Sequence, residues 1–268
     1  MARGKSVGRS ALALVCTMLA AVFTCTTAFA QGARGEREAP PTPRSMAPAD
    51  LTGTWEAIVV EDWRYRMLPP LRYQDSPPRL GEQYGIPINA EARQIALSWD
   101  PDADEAAGEA CRAYGAPNIM RLPGRIRISW QDDQTLKLET EAGTQTRLLE
   151  FGHPMGQAGG WQGVTRASWP HVPGGRGNAP GPALTGSLLL ETSGLRPGYL
   201  QKNGIPYSEN ATMTEYFARI DEDNGDSYLV VTTTVTDPTY LREPYLTTTH
   251  FKKLPDRSRW NPSPCSVR

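Results

Sequence analysis

The sequence predicts an all-β fold: an antiparallel meander of about nine strands closing into a single barrel, with a short helical insertion after the first strand. Three observations predict it. Apolar residues alternate with polar ones in run after run, the two-residue period of a half-buried strand. Most runs are joined by short polar turns such as Asn224-Gly225, which make consecutive strands antiparallel neighbours. No βαβ alternation and no repeat of fixed period interrupts the series, and closing such a meander on itself removes its unpaired edges.

Order begins at Leu51. Residues 52–63 place Trp55, Ala57, Val59, Glu61 and Trp63 on one face of a long strand. Residues 67–88 carry Pro69, Pro70, Pro77, Pro78 and Pro87, which exclude helix and central strand. Residues 89–99 read as a short helix, capped by Asn89, with Ile95, Ala96 and Trp99 along one side. A second short helix is expected over 102–114, with acids near its start and Cys111 near its end. The β pattern then resumes with Ile126, Ile128 and Trp130, a turn at 131–134, and Leu136, Leu138 and Thr140. Gly143 marks a reversal into a third strand over 144–151. Further strands are expected at 161–169, 184–192, 211–220, 227–236 and 245–253. Residues 171–182, with four Gly and three Pro, form a loop, and Asn203-Gly204 marks a tight turn inside 199–207.

The flanks speak to compartment. Arg3, Lys5 and Arg9 precede an apolar run at 11–23, and Ala28-Phe29-Ala30 supplies a small-x-small cleavage site before Gln31. Residues 1–30 are thus expected to be a cleaved signal peptide and the protein periplasmic or secreted. Residues 31–50, rich in Pro, Ala and charge, are expected to be a disordered N-terminus. One barrel domain follows over 51–255, then a polar tail over 256–268. Cleavage removes Cys16 and Cys25, and an exported chain left with Cys111 and Cys265 most simply joins them in a disulfide. The rival, a catalytic thiol at Cys111, lacks a nearby His in the local sequence. Without its three basic leader residues the chain keeps 25 basic and 29 acidic groups, a net of about −4. That charge argues against general capture of nucleic acid or anionic membrane. The apolar run is too short for a stable membrane span.

The segment Asp50-Leu51-Thr52-Gly53-Thr54-Trp55-Glu56 resembles the Gly-x-Trp opening of lipocalin-like (calycin-type) barrels, in which the Trp closes one end. The chain is also similar to secreted bacterial β-barrel proteins of uncharacterised family. The resemblance implies an apolar ligand cavity, with Trp55 as a structural plug. After the last strand, where a lipocalin carries a helix, residues 255–268 are Pro-rich and polar.

Several chemistries are excluded by pattern. The three His, at 153, 171 and 250, form no ligand pair, so no metal site is expected. The glycines at 174, 175 and 177 sit among prolines rather than between a strand and a helix, and no Gly-x-Ser-x-Gly turn occurs. Catalytic candidates are carboxylates and imidazole on strand faces. Glu61 shares the Trp55–Trp63 face, where it is either a desolvated acid–base group or a rim residue pairing with Arg64 or Arg66. Glu215 alternates with Met213 and Phe217, and His250 with Leu246 and Thr248. If both faces point inward the two make a proton-transfer pair; otherwise His250 is structural or outward-facing. Arg147 either pairs across strands with Glu139 or Glu141, or points inward to grip a ligand anion. Trp63, Trp130, Trp161, Tyr199 and Tyr216 are candidate cavity aromatics. The first expectation is a barrel binding a small apolar or amphipathic molecule without a cofactor. The alternatives are a cofactor-free isomerase, cyclase or hydratase on the same barrel, and an interaction module with a filled interior.

Overall fold

The computed structural model describes residues 40–58, 86–172, 183–184, 186–255 and 260–267, with the backbone alone at 171–172 and 183–184. The two-residue alternation produces strands as expected: β1 (Gly53–Ile58), β2 (Arg125–Trp130), β3 (Thr135–Thr140), β4 (Thr146–Phe151), β5 (Val164–Ser168), β8 (Ser187–Ser193), β11 (Thr212–Asp221), β12 (Ser227–Thr236) and β13 (Tyr245–Lys253). These nine close into a barrel in the order β1-β13-β12-β11-β8-β5-β4-β3-β2. Among the described residues two small ribbons add to these: β6 (His171–Val172) with β7 (Ala183–Leu184), and β9 (Gly198–Tyr199) with β10 (Pro206–Tyr207).

Eight of the nine barrel contacts are antiparallel, and one departs from the expected meander. β4 and β5 run parallel, Leu149 opposite Thr165. A hairpin cannot make that join, because β4 ends at the opposite end of the barrel from where β5 starts. Residues 152–163 bridge the gap, climbing outside β4, where Gly156 N–H donates to the Glu150 carboxylate at 3.1 Å. Higher up, Gly159 N–H donates to Gly194 O and Arg196 N–H to Gly160 O.

The bore is packed. Ile128, Leu138, Leu149, Leu190, Phe217 and Phe251 face inward and are at most 1 % exposed. Side chains of this size each stabilise the fold by about 1.5–3 kcal/mol on burial. At the end where β1 begins, Trp55 is fully buried and its Nε1–H donates to Leu51 O at 3.0 Å. Lys253 Nζ sits 5.4 Å from the Trp55 ring centre. Beside it Trp130, Phe151 and Trp169 form a row with ring centres 5.7 and 5.8 Å apart. The segment before β1 covers this aromatic end. Trp169 Nε1–H donates to Pro43 O at 3.1 Å, Arg44 N–H donates to Asp133 O, and Ala47 and Ala49 pack on the core. The stretch expected to be disordered up to residue 50 is therefore structured from Thr42 onward, because it shields apolar rings from water.

The helical insertion caps the opposite end. α1 (Ala90–Ser98) starts at Asn89, whose side chain accepts from Ala92 N–H at 2.9 Å, as its sequence position suggests. The single helix expected over 102–114 is split. α2 (Pro101–Ala106) stops before Gly108, whose φ of +73° breaks the helical path, and a 3₁₀ turn follows at Arg112–Tyr114. α3 (Ala116–Ile119) opens with a Pro near its start. Ala96, Ala116, Leu200, Ile205 and Tyr207 then pack over Met213, Val235 and Tyr245 at the ends of β11, β12 and β13. The tail returns along the outer wall. Trp260 lies under the Arg127 guanidinium at 4.3 Å, Ser263 N–H donates to Glu141 O, and Cys265 is disulfide-bonded to Cys111.

Candidate functional site

Strand parity decides which charged side chains meet. On β11, Met213, Glu215 and Phe217 face inward and are buried, and Glu215 lies opposite Thr233 and Leu190. On β4, Arg147 faces inward opposite Leu138. The two side chains meet in the bore: Arg147 Nη2–Glu215 Oε2 is 2.6 Å and Nη1–Oε1 is 3.3 Å, a two-pronged ion pair with 1 % and 0 % side-chain exposure. Arg147 Nη2 also donates to Thr192 Oγ1 at 3.4 Å, and Thr192 is 2.9 Å from Thr165 Oγ1. The Arg147 Nε–H has no acceptor among the described residues.

This placement chooses between the alternatives left open for His250 and Arg147. His250 does not join Glu215, because it lies on the outer face of β13, opposite Ile58 and Val230, while Thr249 and Phe251 on either side of it are buried. Arg147 does not pair with its sequence neighbours either. Glu139 bonds Lys137 and Glu141 bonds Arg125, both away from the bore. Sequence offered no sign of the Arg147–Glu215 pairing, since the partners are 68 residues apart on strands that are not neighbours.

Among the described residues, the candidate aromatics do not converge either. Trp130 belongs to the row at the β1 end, whereas Tyr216 is 46 % exposed on the outer wall. Trp161 lies on the climb from β4 to β5, under the Arg196 guanidinium at 4.2 Å. Tyr199 is buried in the helical cap, and Glu61 and Trp63 lie outside the described residues.

The cap holds a polar cluster that no periodicity announces. Asp104, 7 % exposed, accepts from Trp99 Nε1 at 2.6 Å, Tyr199 Oη at 2.8 Å and Arg112 Nη1 at 2.7 Å. Burial, joined by the hydrogen bond given to Asp104, pushes the Tyr199 phenol well above its ordinary range, against the opposing pull of Arg112. Burial does the same to Tyr207, whose hydroxyl has no hydrogen-bond partner among the described residues. Its sequence signal is faint: an acid in the first turn of a short helix.

Two of the clefts lined by described residues lie on the outside. One, about 520 Å³, lies beside the β11–β12 turn and is lined by Asp226, Lys252 and Lys253. Two of its charges already pair, since Lys252 donates to Asp226 at 2.7 Å and holds that carboxyl below the usual range. The other, about 440 Å³, lies between the climbing segment and the upper parts of β5, β8 and β11, with Arg166 and Glu191 among its lining residues. No set of three His, Cys, Asp or Glu side chains among the described residues is arranged to hold a metal ion. None of the described helices is long and apolar enough to cross a membrane. No protein-family model matches the chain, and no curated protein matches it.

Proposed function

We propose that this chain is an exported β-barrel binding protein that meets its ligand on the outer wall rather than in the bore. The observation that carries the reading is the packing of the described interior: inward side chains fill the centre, and the buried Arg147 and Glu215 there are held by each other. A closed barrel of this strand number has room for its own side chains or for one small ligand. Here the described side chains occupy that room. Export is supported by the positive, apolar and Ala-Phe-Ala order of residues 1–30 and by the Cys111–Cys265 bond. Cleavage after Ala30 leaves Gln31 as the first residue.

Two measurements on the exported protein test the reading. Native mass spectrometry should give a chain beginning at Gln31, with one disulfide and no apolar small molecule retained. Titration with the fluorescent apolar probe anilinonaphthalene sulfonate should show no saturable one-to-one site. Saturable probe binding accompanied by quenching of the buried tryptophans would return the ligand to the bore. A mass that includes residues 1–30 would remove the export claim.

A further inference from the structure

Opposite charges that face one another across a strand pair normally close into an ion pair. On the outer wall Glu56 and Arg125 are such partners in the β1–β2 ladder, and they bond at 3.0 Å. Arg166 and Glu191 stand in the same relation in the β5–β8 ladder, both exposed, yet no ion pair joins them to each other or to any other described residue. Cross-strand neighbours hold their Cβ atoms about 4.5–5.5 Å apart on one face, so one small molecule can span both heads.

They lie in an open cleft on the outer wall. The cleft of about 440 Å³ over these residues falls within the range of small-molecule pockets. It exists because β4 and β5 are parallel: the climbing segment, at Pro154, raises one wall, and Thr212 and Thr214 on β11 form the other. Val164 and Pro154 add apolar surface, and Ser193, Thr212 and Thr214 add hydroxyls. A guanidinium fork is built to take a carboxylate through two parallel hydrogen bonds, and a carboxylate beside it takes an ammonium.

We propose that this cleft binds a small zwitterion, a free α-amino acid with an aliphatic side chain, its carboxylate on Arg166 and its ammonium on Glu191. The aliphatic group lies against Val164 and Pro154. Having one charge of each sign, the site rejects dianions through Glu191 and dications through Arg166. The inference rests on the outer-wall reading above and names the ligand class for it.

Amide NMR of the full exported protein, titrated with L-leucine, L-leucinamide and N-acetyl-L-leucine, tests it. Leucine should shift the amides of Val164, Glu191 and Thr214 along saturable curves in the millimolar range. Each analogue lacks one charge and should bind at least about tenfold more weakly, the loss of one charge-assisted contact. Arg166→Gln and Glu191→Gln, both at exposed positions, should abolish saturation while leaving the remaining spectrum unchanged. Absence of saturable shifts in the cleft, or equal binding of the capped analogues, overturns the proposal. If leucine instead shifts inward residues such as Leu190 and Phe217, the outer-wall reading falls with it. If no residue shifts, the cleft assignment alone falls, and probe binding by the bore decides the wider reading.

Discussion

Arg147 and Glu215 carry the sharpest consequence at the level of single residues. Each charge has lost its water, and the other's hydrogen bonds offset that loss. Removing one partner leaves the other buried and uncompensated. Glu215→Gln is therefore expected to cost about 3–5 kcal/mol in urea unfolding, whereas Arg147→Met combined with Glu215→Leu should be near neutral or stabilising. A single mutant within about 0.5 kcal/mol of wild type would show that the pair is not buried. Tyr199 and Tyr207 give a pH dependence. Both phenols are raised above the ordinary value of about 10, chiefly by burial, so the folded state favours their protonated forms. Their contribution to stability is fully present below the ordinary phenol value and is lost as pH rises through the raised values. Tyr199 and Tyr207 should be among the last of the ten tyrosines to ionise in a 295 nm absorbance titration, with stability falling above about pH 10. Ordinary titration of all ten before any loss of fold would contradict the buried placement.

The elements show how far local chemistry reaches. Asn89 caps α1 and also donates through Nδ2 to Thr239 O at 2.8 Å, tying the helical cap to the loop between β12 and β13. Asn89→Ala should cost at least about 1 kcal/mol, seen as a lower midpoint in thermal unfolding; an unchanged midpoint would mean that water replaces both bonds. This cap was legible because its physics lies within four residues. The β2–β3, β3–β4 and β11–β12 turns were legible for the same reason: polar or Gly residues sit between runs of matching alternation. The parallel β4–β5 step was not. Nothing within residues 146–168 states which way the second strand runs, and its direction follows from pairing with β8, whose Glu191 lies opposite Arg166. The outer cleft inherits that invisibility, since the climbing segment is one of its walls.

Across the whole molecule, the Cys111–Cys265 bond joins the tail to the helical cap over a separation of 154 residues. Closing so long a loop restricts the unfolded chain, so reduction should lower stability by about 2–4 kcal/mol. It should also expose the tail beyond β13 to limited proteolysis. Equal protease resistance before and after reduction would mean that the Trp260–Arg127 stack and the Ser263–Glu141 bond hold the tail alone.

The sequence by itself determined the strand content, the helical insertion and most turns of this protein, because each rests on periodicity or on side chains a few residues apart. The pairing of Cys111 with Cys265 was readable by elimination once a cleaved leader was assumed. Only the tertiary structure decided which face of each strand looks inward. Alternation defines two faces, but on β4 Arg147, Leu149 and Phe151 compete with Thr146, Leu148 and Glu150. On β13 Tyr245, Thr247, Thr249 and Phe251 alternate with Leu246, Thr248, His250 and Lys252. In the middle of these strands neither face is apolar enough to choose for itself, so closure with the neighbouring strands chooses. That choice buried Arg147 against Glu215, turned His250 outward and filled the bore with side chains.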